Sequence, residues 1–139
     1  GRLWGADRYF VGGRPMTKAA LIQNTTDPDL YGNERWGTFK YVIPVAEGRY
    51  RLSLKFAEVY FGRSNQGGGA GSRLFNVYCN GEILLRNFDI YKEAGRENYA
   101  LDKVFHGLQP NAQGNLAISF APITNYPTVK AIEVVDERQ

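Results

Sequence analysis

Between Tyr50 and Phe56 the chain alternates with period two, Tyr50, Leu52, Leu54 and Phe56 on one side and Arg51, Ser53 and Lys55 on the other. A half-buried β-strand satisfies that pattern, because successive side chains of a strand point to opposite faces. The strand is predicted to run from Tyr50 to Tyr60, ending in two adjacent aromatics, Tyr60 and Phe61. Beyond them, Gly67-Gly68-Gly69-Ala70-Gly71 predicts a mobile loop rim. Two rings delivered by a rigid strand to the edge of a loop are laid out for binding rather than for closing a core. Glu58 shares the parity of Leu52, Leu54 and Phe56, so its carboxylate is expected on the buried side, paired or hydrogen-bonded and tying down a loop. Asp89, between Phe88 and Ile90, is expected to cap a turn or loop.

The rest of the chain reads as short strands punctuated by turns. Residues 1 to 38 show no sustained period and are rich in turn formers such as Gly12-Gly13-Arg14-Pro15 and Asp27-Pro28-Asp29, so they are expected to be loops with one or two short elements. Phe39 to Val45 is strand-like, and Glu47-Gly48 predicts a hairpin turn into the Tyr50 strand. Arg73 to Cys79 and Glu82 to Leu85 flank Asn80-Gly81, a pair in which both residues tolerate positive φ and which signals a tight hairpin. Leu101 to Phe105, Asn115 to Ala121 and Thr128 to Val135 complete the strands. With 14% aromatic residues, 16 glycines and almost no helix signal, the chain is predicted to be all-β, an antiparallel β-sandwich of the jelly-roll-like lectin kind.

Charge and cysteine usage narrow the chemistry. A net charge of +3 from basic residues scattered along the chain is a weak footprint for nucleic acid, and no apolar run approaches a membrane span. Neither nucleic acid nor membrane is expected as a partner. Cys79 stands alone, so no intrachain disulfide and no cysteine-built metal site is available. His106 has no G-x-S-x-G or comparable nucleophile signature to serve. The glycine loop lacks the Gly-Lys-Ser/Thr of a phosphate-binding loop. No cofactor is expected. A structural calcium ion is the exception left open, with Asp27, Asp29 and Glu34 as oxygen donors whose spacing matches no EF-hand.

Three runs carry a family resemblance: Tyr50 through Phe61, Leu74-Phe75-Asn76-Val77-Tyr78-Cys79-Asn80-Gly81, and Asn87-Phe88-Asp89-Ile90-Tyr91. Glu34-Arg35-Trp36 and Tyr126-Pro127-Thr128-Val129-Lys130-Ala131-Ile132 extend it towards both ends. The chain resembles malectin and the malectin-like carbohydrate-binding modules of bacterial glycoside hydrolases, over residues 1–139 as one domain excised from a larger protein. The resemblance implies a non-catalytic sandwich whose loops clasp short α-linked glucose oligosaccharides, held by several aromatics and one aspartate. Carried over by motif, the ligand-binding residues are Tyr60, Phe61 and Trp36, the last where the family has tyrosine. The family aspartate falls on Asn125. A carboxylate accepts hydrogen bonds from two sugar hydroxyls, whereas an amide offers one acceptor and one donor group. A further upstream tyrosine of the family is matched only loosely, with Tyr9 and Tyr31 as substitutes, and the family's opening strand has no counterpart before Trp4.

The chemistry of those residue types agrees. A pyranose packs its C–H face on an aromatic ring and directs a belt of hydroxyls at polar partners. Trp36, Tyr60 and Phe61 are platforms, and Asn125, Tyr126 and the Tyr60 hydroxyl are hydrogen-bonding groups. The expected function is a carbohydrate-binding module, extracellular or periplasmic, joined to the catalytic domain of a secreted bacterial protein and recognising an oligo- or polysaccharide. The alternatives are a protein-interaction module or a structural spacer that has lost sugar binding. Glycoside hydrolysis would need two carboxyls facing one pocket, about 5 to 5.5 Å apart for retention or about 6.5 to 9.5 Å for inversion, with Glu58, Asp89 and Asp102 as the acids on offer.

Overall fold

In the computed structural model, residues 2–4, 10–17, 22–26, 31, 33–63 and 65–138 are described. Among them run the strands β1 (Arg2–Trp4), β2 (Phe10–Thr17), β3 (Asn33–Pro44), β4 (Tyr50–Phe56), β5 (Leu74–Cys79) and β6 (Glu82–Phe88). A short helix, α1 (Ile90–Ala94), precedes β7 (Leu101–Leu108), β8 (Asn115–Thr124), β9 (Thr128–Val129) and β10 (Ala131–Asp136). One sheet has the order β1-β10-β4-β7 and the other β2-β3-β8-β5-β6, with β9 added alongside β3. Every pairing between these strands is antiparallel, so the architecture is the two-layer all-β sandwich expected.

Alternation in the strands builds the core. β4 buries Tyr50, Leu52, Leu54 and Phe56 from one layer; Phe39, Tyr41 and Ile43 of β3, Phe75 and Val77 of β5, and Leu116, Ile118 and Phe120 of β8 meet them from the other. Phe39 stacks on Phe120 with ring centroids 4.6 Å apart, and Phe56 meets Phe88 at 4.8 Å. Each such side chain contributes about 1.5–3 kcal/mol through removal from water. Asn80 (φ 50) and Gly81 (φ 85) form the tight turn between β5 and β6, as their left-handed tolerance predicts. Asp89 caps α1 by accepting from Lys92 N at 3.0 Å.

Five expectations are corrected. β3 and β4 do not form a hairpin, because β3 pairs with β2, β8 and β9 while β4 pairs with β10 and β7. Alternation reads alike for neighbours in one sheet and for partners facing each other across the core. The link crosses between layers, held by Val45 N donating to Gly114 O at 3.0 Å and the Tyr50 hydroxyl donating to Ala46 O at 2.8 Å. Strand β4 stops at Phe56 rather than Tyr60, since its flanking strands run out: Phe56 is paired with Leu101, where β7 begins, and Lys55 with Ala131, where β10 begins.

Gly12-Gly13-Arg14-Pro15 is no turn but the middle of β2, where the register shifts between Gly12 and Arg14. A side chain at Gly12 would place Cβ 2.6 Å from the Thr38 carbonyl oxygen, so the bulge brings the two backbones too close for any other residue. An opening strand does exist: β1 lies along β10 with Leu3 opposite Val134. The predicted last strand is two, for β9 belongs to one sheet and β10 to the other, and the chain changes layer at Lys130. Asp27-Pro28-Asp29 and Tyr9 lie outside the described residues.

Candidate functional site

Beyond the end of β4, Ala57, Glu58 and Val59 remain buried, with the Glu58 carbonyl accepting from Asn98 N at 2.8 Å. Glu58 organises this corner. Only 1% exposed, it accepts from Arg73 Nε at 2.8 Å through Oε1; through Oε2 it accepts from Arg73 Nη2 at 3.2 Å and from the backbone N–H groups of Tyr60 and Phe61 at 3.2 and 3.3 Å. A buried carboxylate needs this degree of satisfaction. The result is that Tyr60 and Phe61 are held at the mouth of the fold, their rings edge to face at 4.9 Å.

Arg73 carries the connection further. Its Nη1 donates to the Tyr126 carbonyl, and its guanidinium lies 5.3 Å from the Phe61 ring centroid. Tyr126 in turn meets Trp36, on β3, with centroids 6.0 Å apart and an interplanar angle of 63°. Asn125 adopts φ 55 and donates from Nδ2 to the Ser72 carbonyl at 2.7 Å. The glycine-rich loop is fastened at several points: Gly62 and Gly67 exchange backbone bonds, Gly69 N donates to Ser72 Oγ at 2.9 Å, and Gly71 N donates to Asp89 Oδ2 at 2.6 Å.

These segments enclose a cleft of about 260 Å³ lined by Glu34, Trp36, Tyr60, Phe61, Arg73, Asn125 and Tyr126. All five residues named from sequence therefore lie on one cleft, drawn from β3, the segment that follows β4 and the β8–β9 connection. Tyr60 and Tyr126 remain 46% and 51% exposed, so their rings stand at the rim. Sequence reasoning missed Glu34 and Arg73. Glu34 was within reach, since it sits two residues before Trp36 on a strand and so shares its face; Arg73 owes its place to a tertiary pairing with no local signature.

Other candidates fall elsewhere. Tyr31 is buried with Ile22, Ala57, Val59 and Ala100 in a separate apolar cluster, and does not line the cleft. Asp89 caps the helix, while Asp102 pairs with Lys55 Nζ at 2.6 Å. Neither these two acids nor Glu58 lines the cleft, where Glu34 is the carboxylate. His106 sits on β7 with Nδ1 2.8 Å from Glu137 Oε2, also apart from it. Of the calcium donors considered, Asp27 and Asp29 lie outside the described residues and Glu34 pairs with Lys130 Nζ at 2.7 Å. Among the described residues no cluster of three or more metal-ligating side chains occurs, and no helix is long and apolar enough to cross a membrane.

A two-sheet sandwich with an aromatic cleft on its end loops is the class these observations define. The profile of the malectin domain matches residues 1–132. Human malectin is 41% identical over 83 residues, covering 58% of this chain and 26% of that protein. Among solved structures, the beta-glucuronidase of Bacteroides uniformis superposes with a TM-score of 0.73 at 24% identity, covering 96% of this chain and 14% of the enzyme. The ANXUR1 extracellular domain from Arabidopsis thaliana superposes with a TM-score of 0.74 at 15% identity, over 91% of this chain and 39% of that one. These two likenesses are ones of fold. The chain belongs to the malectin family, a carbohydrate-binding and non-catalytic type of domain. It spans about a quarter of the length of the human protein, 26%.

Proposed function

We propose that this domain binds short α-linked glucose oligosaccharides, or a closely related glycan, in the cleft between Trp36, Tyr60, Phe61, Asn125 and Tyr126. The observation that carries the reading is the convergence of four aromatic rings from three separate chain segments on one concave surface that also presents a carboxylate and an amide. Rings of this kind receive the C–H face of a pyranose, and the polar groups receive its hydroxyls. Family membership supports the ligand class.

In this reading the domain contributes adhesion and no bond chemistry of its own. It serves a larger secreted protein, extracellular or periplasmic, whose catalytic part it keeps near its glycan. The place of the same fold as 14% of the Bacteroides uniformis enzyme chain supports such an arrangement.

Calorimetric titration tests it, with maltose, nigerose, cellobiose and an oligogalacturonide offered to the wild type and to a Trp36→Ala, Tyr60→Ala variant. Saturable binding of an α-glucoside at micromolar to millimolar concentration, lost in the variant, is the expected result. Silence across all four sugars would overturn the reading and leave the aromatics as protein-contact anchors or remnants of a lost site.

A further inference from the structure

The face of β3 and β9 beneath the cleft buries three polar side chains, Glu34, Thr128 and Lys130. The pairing of Arg35 with Val129 and Trp36 with Thr128, continued one step, sets Glu34 opposite Lys130. Both side chains are almost wholly buried, 3% and 1% exposed. Their contact, Oε1 to Nζ at 2.7 Å, is close enough for an ion pair but lacks hydrogen-bond direction, and neither atom has a hydrogen-bond partner among the described residues. The buried Thr128 hydroxyl is equally without one. One cation takes up only part of a carboxylate's acceptor capacity, and the Thr128 hydroxyl has no hydrogen-bond partner among the described residues, so this face has room for donors that arrive from outside. Glu34 is the member of the group that lines the cleft.

Position 125 has a different occupation. Its Nδ2 donates to the Ser72 carbonyl at 2.7 Å and so straps the end of the glycine-rich loop to the cleft rim. A carboxylate there would set one oxygen against another. We propose that Glu34 is the carboxylate that receives sugar hydroxyls in this cleft, its charge balanced by Lys130, and that Asn125 is a positioning residue holding the Ser72 loop against the rim. The chemical logic is a division of labour: acceptor capacity lies at the floor, where a buried cation stands beside the carboxylate, and the rim amide fixes the width of the opening.

This inference rests on the carbohydrate reading above, and its test separates the two. The sugar bound best by the wild type among maltose, nigerose and cellobiose is titrated, with its singly deoxygenated analogues, into wild type, Glu34→Gln, Glu34→Gln with Lys130→Met, and Asn125→Asp. Thermal unfolding checks that each is folded. The double substitution removes both charges together, so that no lone buried cation is left. Binding is expected to weaken roughly ten- to a hundredfold in both Glu34 variants, the range for a lost hydrogen bond to a charged group. One deoxy analogue should lose affinity for the wild type but not for the double variant, a signature that mere structural support for the cleft would not produce. Asn125→Asp should weaken binding and speed proteolysis within 67–72. A folded double variant that binds like the wild type, or an Asn125→Asp variant that binds more tightly, would overturn the assignment while leaving the carbohydrate reading intact. A wild type silent to every sugar overturns both.

Discussion

Glu58 and Arg73 form a two-point buried ion pair, Oε1 to Nε at 2.8 Å and Oε2 to Nη2 at 3.2 Å, that joins the end of β4 to the entry of β5. The same two side chains also hold the backbone of Tyr60, Phe61 and Tyr126, so one pair sets the relative position of three rings in the cleft. Stability and site geometry are therefore coupled through it.

Glu58→Ala is expected to cost about 3–5 kcal/mol, because Arg73 is left buried and uncompensated. Urea unfolding followed by tryptophan fluorescence checks this. A loss below about 1 kcal/mol would show that the corner relaxes to let water reach the guanidinium.

Tyr126→Ala makes the opposite kind of change. The ring is 51% exposed, so its removal is expected to move stability by no more than about 1 kcal/mol while weakening sugar binding severalfold. The bond from Arg73 goes to the Tyr126 backbone carbonyl and survives the substitution. Titration beside thermal unfolding separates the two effects, and unchanged affinity would remove Tyr126 from the site.

Phe120→Ala should cost about 3–5 kcal/mol, since the ring is fully buried and stacked on Phe39. The cleft residues lie apart from it, so ligand affinity of the folded fraction should stay the same.

The Asn80-Gly81 turn offers a test of local backbone chemistry. Asn80 holds φ 50, accepts from Ala117 N at 2.8 Å and donates to Gln109 O at 3.0 Å. Asn80→Ala is expected to cost about 2–3 kcal/mol, from the lost hydrogen bonds plus a left-handed backbone that alanine tolerates less well than asparagine. Asn80→Gly removes only the bonds and should cost less; equal losses would place the whole effect in the side chain.

Burial, with a smaller push from the charge of Glu82, raises the Cys79 thiol to about 11. The thiol is thus protonated at pH 8 and should react with a disulfide reagent only as fast as the domain unfolds. The sign for stability follows: an acid whose folded value lies above its unfolded one favours the folded state below both, and that advantage fades as the pH climbs from about 9 towards about 11. Rapid labelling of the native protein at pH 8 would show that the residue is accessible after all.

Sequence by itself determined what is local. Period-two alternation from Tyr50 to Phe56, the turn at Asn80-Gly81, the cap at Asp89 and the buried destination of Glu58 each depend on neighbours a few residues away, where side-chain direction and backbone preference leave little choice. Trp36, Tyr60, Phe61 and Asn125 were named by motif and Tyr126 by its chemistry, and the five do share one surface. Tertiary structure alone decided which strands pair and which face one another across the core, since both arrangements demand the same alternation. For that reason β3 and β4 read as a hairpin and stand in opposite layers. Long-range partners were equally invisible: Arg73 for Glu58, Lys130 for Glu34 and the Ser72 carbonyl for Asn125 lie 15, 96 and 53 positions away along the chain. Charges buried in a sandwich must find a counter-charge wherever the fold brings one, and no local pattern records where that is.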